Sequence, residues 1–289
     1  MRAVSLHPDV LVVTSALLAT NCVIVRGGVD EDGAAVPAAA GSVGERESAR
    51  LHAETFVIDS PVLPDELDAL PALLEQAGFP PPSGLLATHG DWDHLLGRLA
   101  FPAVALGVAE STAARLVAGP GAVQRELRSF DEGLYIERRR PLALGSPQAL
   151  PVPGRCELGD RELELHPTNG HTADGMAIVI SWAGVLVAGD YLSAIELPTL
   201  GEGTSPDAYL ETLARLRELV RRAEHVIPGH GPLLDRERAA TVLEEDVSYL
   251  LALRQNGERA ELPMGRRGAG HRDAHMMNVA GLRNGDPAI

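Results

Sequence analysis

The chain has 289 residues, a formal net charge of −15, 45% hydrophobic and only 3% aromatic residues, and every basic side chain is Arg. That length allows one large domain or two small ones, and the hydrophobic share is enough for a sizeable core filled mostly by Ala, Leu and Val. The acidic balance disfavours nucleic acid, whose binders carry a basic face, and suits a soluble protein whose copies repel one another.

Val10–Ala16 and Cys22–Arg26 predict a strand pair. The apolar stretch Val10–Val25 is the longest in the chain, but Thr14, Ser15, Thr20 and Asn21 break it, so it is too short and too interrupted to span a membrane. The start, Met-Arg-Ala-Val-Ser-Leu-His-Pro-Asp, lacks the apolar core of a signal peptide. Cys22 and Cys156 are the only cysteines; two thiols make no disulfide framework, and a cytoplasmic, reduced protein is expected. Residues 27–53 are dominated by Gly, Ala, Glu and Asp without apolar period. They are expected to form an exposed flexible insertion, whose functional version is a lid.

Thr55–Asp59 predicts a short buried strand, and leucines at 67, 70, 73 and 74 predict a helix over Asp65–Ala77. Gly78 and the prolines at 80–82 end it. A strand over 84–88 follows, then another over Ala103–Val108 and helical stretches near 110–118 and 121–130; Arg138-Arg139-Arg140 is expected to be a solvated face. Leu163–His166, Ala177–Ser181 and Val185–Ala188 predict strands of a second sheet, with a turn at Trp182-Ala183-Gly184. Ser205 caps a helix over Pro206–Ala223 with proline at its first position. His225–Pro228 ends a strand and Asp235–Asn256 is a long helix. Strands followed by helices in both halves suggest two sheets flanked by helices.

The run Thr88-His89-Gly90-Asp91-Trp92-Asp93-His94 places four potential metal ligands within six positions at a strand end, where sites tend to be built. Three further signals stand at strand ends or Gly turns: Asn169-Gly170-His171-Thr172, Ala188-Gly189-Asp190 and Pro228-Gly229-His230-Gly231. Glycine beside each candidate lets the backbone turn tightly. Each signal alone is weak. Together, imidazoles and carboxylates at successive strand ends suit zinc, iron or manganese.

This ordered set resembles the metallo-β-lactamase superfamily, whose signature is His-x-His-x-Asp-His followed by three separated ligands. The resemblance spans roughly residues 10–235 and includes Asp59, where the family often has an acidic residue with a structural role. It implies an α/β fold, a four-layer αββα sandwich of two mixed sheets flanked by helices. On this basis residues 1–289 form a single domain with the insertion near 27–53 and a C-terminal helical extension near 235–289. It further implies two divalent metal ions, zinc first: one held by His89, Asp91 and His171, the other by Asp93, His94 and His230, with Asp190 between them. Asp91 departs from the pattern, standing where the family's second His is usual. As a harder ligand, it shifts preference toward iron or manganese; flavodiiron proteins of the same superfamily resemble this chain in having a carboxylate there.

The implied activity is hydrolysis of a small-molecule ester, thioester or lactone by an activated water, with Asp93 orienting the nucleophile and shuttling its proton. Tyr191 and Ser193, just past Asp190, are the expected substrate contacts, and Trp92 a wall of the site. No nucleic-acid or membrane partner is expected. Two rivals stand beside this reading. One is an iron oxidoreductase, either a mononuclear persulfide dioxygenase or a flavodiiron-like enzyme. The other is a non-catalytic ligand-binding protein on the same fold. His271 and His275, four apart on a possible terminal helix, are expected at the surface, with Asn278 and Arg283 tying that helix to the body.

Overall fold

The computed structural model describes residues 1–28 and 53–285. The expected insertion at 27–53 therefore lies almost wholly outside the described residues. Two compact units divide the chain, Met1–Leu165 and His166–Ile289. The strands make two sheets, a seven-stranded one in the order β1 to β7 and a six-stranded one in the order β13-β12-β11-β10-β9-β8. Both mix parallel and antiparallel pairs, which is the α/β class expected.

In the first unit, β1 (Arg2–His7), β2 (Val10–Thr14), β3 (Asn21–Gly27) and β4 (Glu54–Ile58) are antiparallel. The last three are apolar runs that pack an inner face. Parallel pairing then carries β4 through β5 (Gly84–Leu86) and β6 (Leu106–Ala109) to β7 (Gln148–Leu150). Helix α1 (Pro64–Gln76) begins on a proline and turns Leu67, Leu70 and Leu74 inward. Those leucines join Leu11, Val13, Ile24, Val57, Leu85 and Val108 in one core. A short α2 (Gly97–Ala100), then α3 (Glu110–Ala118) and α4 (Ala122–Leu134), follow the ligand-rich motif. Strands β8 (Gly154–Leu158) and β9 (Arg161–Pro167) form an antiparallel hairpin. Arg138 departs from the solvated face expected of the Arg138–Arg140 run. Its guanidinium is bound to Asp131 at 2.7 Å and to the Val62 carbonyl at 3.0 Å.

In the second unit, β10 (Met176–Ile180) and β11 (Val185–Gly189) are antiparallel, joined by a single turn whose Gly184 sits at φ 62°. Strand β12 (His225–Pro228) pairs parallel to β11, and the two-residue β13 (Leu234–Asp235) closes the edge. Helix α5 (Pro206–Arg222) is capped by Ser205, whose hydroxyl accepts the Ala208 amide at 3.2 Å. With α6 (Arg236–Asn256) it covers Ala177, Val179, Leu186 and Ala188 with Leu213, Leu216, Val242 and Leu250. A last helix, α7 (Ala269–Gly285), follows. Cys22 and Cys156 are free thiols. Among the described residues no helix is long and apolar enough to cross a membrane.

Candidate metal centre

The first unit builds its cluster on the carboxyl ends of two parallel strands, where open α/β sheets place ligands. Ile58 of β4 pairs with Leu86 of β5, so the residues that follow each strand emerge side by side. Asp59 leaves β4 at φ 57°, a left-handed conformation that Asp tolerates better than most residues. Its Oδ1 accepts the Thr88 amide at 2.8 Å and its Oδ2 the Thr88 hydroxyl at 2.9 Å. The same Oδ2 stands 3.1 Å from Nδ1 of His94, with both side chains almost wholly buried. Thr88 Oγ1 lies 3.1 Å from Nδ1 of His89. Each histidine thus has its Nδ1 engaged from behind, which orients Nε2 outward.

Those Nε2 atoms face the motif's carboxylates. His89 Nε2 is 3.6 Å from Asp91 Oδ2, and His94 Nε2 is 3.7 Å from Asp93 Oδ2. The two imidazole centroids are 4.2 Å apart. The three-residue turn Trp92–His94 makes this possible by stacking Asp93 and His94 in one tight helical turn. Ser60 donates to the Asp93 carbonyl at 3.1 Å, and Trp92 packs on Phe130 at 4.4 Å. Asp91 is the most exposed member. Its Oδ1 accepts from Arg115 of α3 at 2.7 Å, leaving Oδ2 as the oxygen nearer His89. Nothing in the sequence singled out Arg115.

The second unit gathers His171, Asp190 and His230. Register places Gly189 at the end of β11 opposite Pro228 at the end of β12, and the Gly229 amide donates to the Gly189 carbonyl at 2.6 Å. Asp190 and His230 therefore leave adjacent parallel strands together, with His230 Nε2 at 3.4 Å from Asp190 Oδ2. His171 sits in the β9–β10 loop and its Nε2 is 3.3 Å from the same oxygen. Gly170 before it has φ 137°, and a Cβ there would lie 2.4 Å from the Tyr209 Cα, so only glycine lets this loop lie against α5. Thr199 Oγ1 is 2.8 Å from His171 Nδ1, the same backing that Thr88 and Asp59 give in the first unit.

Tyr191 and Ser193, expected to touch substrate, are both buried. The Tyr191 hydroxyl accepts the His171 amide at 3.0 Å, and the Ser193 hydroxyl donates to the His230 carbonyl at 2.9 Å. Burial pushes the Tyr191 phenol far above its ordinary range, so it stays protonated. Both hydroxyls hold the backbone of a candidate ligand. His271 faces the Ile195 carbonyl with Nε2, whereas His275, expected at the surface, is buried with its ring nitrogens against the Tyr249 hydroxyl and the Glu258 carbonyl. Asn278 ties α7 to the unit, as expected; the side chain of Arg283 lies outside what is described.

The donor spacings fit a cation. Two donors bound to one ion at about 2.1 Å with tetrahedral angles stand about 3.4 Å apart. The four N···O pairs above, at 3.3 to 3.7 Å, straddle that value and are long for hydrogen bonds. Imidazole nitrogen and carboxylate oxygen, buried at His89, Asp93, His94 and His230 and half-buried at Asp91, His171 and Asp190, are the donors that zinc, iron and manganese accept.

The family model described as metallo-beta-lactamase superfamily matches residues 52–230. Among solved structures, a metallo-beta-lactamase from Pontibacter korlensis is 15% identical, covering 84% of this chain and 98% of its own, with a TM-score of 0.57. A metallo-beta-lactamase family protein from Thermus thermophilus is 19% identical over 97% of this chain and 95% of its own, TM-score 0.61. The stereoselective inverting sec-alkylsulfatase from Pseudomonas sp. is 14% identical over 99% of this chain and 51% of its own, TM-score 0.68. Among curated protein sequences none matches.

Proposed function

The chain belongs to the metallo-β-lactamase superfamily, and from that premise we propose that it is a metal-dependent hydrolase of small esters, thioesters or lactones. His89, Asp91 and His171 hold one divalent cation in this proposal, Asp93, His94 and His230 a second, and Asp190 serves both. The observation that supports it most is the pairing of imidazole and carboxylate donors at 3.3 to 3.7 Å within each unit. Zinc is the first choice; the Asp91 carboxylate favours iron or manganese more than a third imidazole would.

Divalent cations, when bound, lower the pKa of water toward neutrality and stabilise a developing oxyanion. The chain's residues supply the rest. The Asp93 carboxylate, buried and tethered through its carbonyl by Ser60, accepts the proton of the attacking water. As the new carbon–oxygen bond forms and the bond to the leaving oxygen or sulfur breaks, Asp93 returns that proton to the leaving atom. Tyr191 and Ser193 keep His171 and His230 in place through the backbone. The acidic chain suits a small-molecule substrate, with neither nucleic acid nor membrane as partner. A second reading, an iron oxidoreductase, is favoured only by the carboxylate at position 91.

The test loads purified protein with zinc, iron or manganese and screens esters, thioesters and lactones. Alkyl sulfates join the panel because of the sulfatase neighbour, and persulfides because of the second reading. Hydrolysis of one carboxylic class is expected, with Asp93→Ala folded and inactive. No cleavage under any metal loading, or full activity in Asp93→Ala, sinks the proposal.

A further inference from the structure

Three side chains beyond the family match, which ends at residue 230, grip one loop of the second unit. Residues 192–200 follow Asp190 and β11. Two of them reach candidate ligands: Thr199 Oγ1 lies 2.8 Å from His171 Nδ1, and the Ser193 hydroxyl donates to the His230 carbonyl. Asn278 of α7 takes hold on both sides of Thr199. Its Nδ2 donates to the Pro198 carbonyl at 2.7 Å and its Oδ1 accepts the Leu200 amide at 2.9 Å. A second bond from Nδ2, to the Tyr249 hydroxyl at 2.9 Å, anchors the amide to α6.

Arg266 does the same around Ser193. Its Nη1 donates to the carbonyls of Ser193 at 3.2 Å and Glu196 at 2.7 Å. The guanidinium is almost wholly buried and is held by Asp246 Oδ1 at 2.6 Å and Glu245 Oε2 at 3.1 Å, both on α6. His271 Nε2 meets the Ile195 carbonyl at 2.8 Å. Five backbone groups of a loop of irregular structure are thus bonded by side chains from residues 266–278. Such a loop has no ladder of its own to fix it, and its buried polar backbone needs these partners. A buried ion pair is a costly way to hold packing alone, whereas orienting the groups behind metal ligands is worth a large factor in affinity.

We propose that the C-terminal segment is a positioning scaffold for the second unit's ligands: Asn278 sets Thr199 behind His171, and Arg266 sets Ser193 behind His230. The proposal rests on the metal-binding reading of those two histidines. Asn278 and Arg266 are positioning residues that act through the loop.

The test is zinc binding by the full-length protein, titrated in competition with a chromophoric chelator. Asn278→Ala and Thr199→Ala are each expected to weaken one zinc equivalent about tenfold. The double variant is expected to be no worse than the weaker single one, because both remove the same backing of His171. Arg266→Lys, which keeps charge but loses the fork, is expected to show a loss in the same direction. Folded Asn278→Ala with wild-type affinity, or Asn278→Ala and Thr199→Ala losses that multiply, overturns the proposal. If Asn278→Ala does not fold, His271→Ala at the exposed end of the grip decides: weakened zinc binding supports the scaffold, and wild-type binding overturns it. Wild-type protein that takes up no zinc overturns the metal-binding reading and this inference together. Uptake that none of the variants changes overturns this inference alone.

Discussion

Replacing Asp59 by Asn probes the metal centre without touching a proposed ligand. Asn tolerates the left-handed backbone at φ 57°, and its carbonyl still accepts the Thr88 amide that Oδ1 now binds at 2.8 Å. What changes is the second position. Oδ2, 3.1 Å from His94 Nδ1, becomes an amide that donates, so a carboxylate oxygen no longer faces that side of the imidazole. The ring is driven toward the tautomer with its proton on Nε2, the nitrogen that faces Asp93 and is meant to bind metal. Losing an outer partner of this kind costs about 10- to 100-fold in metal affinity, or about 1.4 to 2.7 kcal/mol. Asp59→Ala should do this and unfold the protein more easily. It adds about 1–2 kcal/mol for alanine in the left-handed region and about 1–3 kcal/mol for stripping the buried Thr88 amide of its acceptor. Chelator competition reads the first effect and urea denaturation the second. An Asn variant with wild-type metal affinity, or an Ala variant as stable as Asn, would refute the reasoning.

Two predictions concern the scaffold around the site. Gly170→Ala puts a methyl 2.4 Å from the Tyr209 Cα at a backbone with φ 137°. Overpacking and backbone strain together should cost about 2–4 kcal/mol, and a Gly170→Ala protein with an unchanged urea midpoint would contradict the close approach. Glu66 sits buried between Ser15, whose hydroxyl donates at 2.5 Å, the Ala16 amide at 2.8 Å and the N-terminal amine at 3.1 Å. Burial alone would raise its pKa, but these partners together hold it below the ordinary glutamate value. A depressed folded pKa gives stability that is fully present above the unfolded value, about 4.3, and lost as pH falls through the folded one. Glu66→Gln should therefore lower stability at pH 7 and lose less of it than wild type below about pH 4. Denaturant midpoints at pH 7 and pH 3 that fall in parallel for both proteins would contradict this.

Much of the fold was legible because its central strands are apolar runs bounded on at least one side by Gly, Pro or Asp: β2, β3, β4, β10 and β11 stand within two residues of where the sequence puts them. Strands β1, β7, β8 and β13 were not foreseen. β1 and β8 mix charged and apolar residues and are largely exposed, β7 has three residues and β13 two. Their pairing is supplied by a neighbour, which no local pattern records. The ligand types were legible as a dense run at 89–94 shortly after a strand and as His171, Asp190 and His230 beside glycines. Their supports were not. Asp59 backs His94 from 35 positions away and Asn278 reaches Leu200 from 78, separations at which residue spacing says nothing. Tyr191 and Ser193 show the converse: adjacency to Asp190 suggested substrate contact, and burial turned both hydroxyls to the backbone of His171 and His230.

Metal content of the full-length protein, purified without chelator and loaded with excess zinc or manganese before desalting, tests the central claim most directly. Two tightly held cations per chain, falling to one or none in His94→Ala and His230→Ala, is the result this account predicts. A chain that retains no metal, or retains as much in both variants as in wild type, would contradict it.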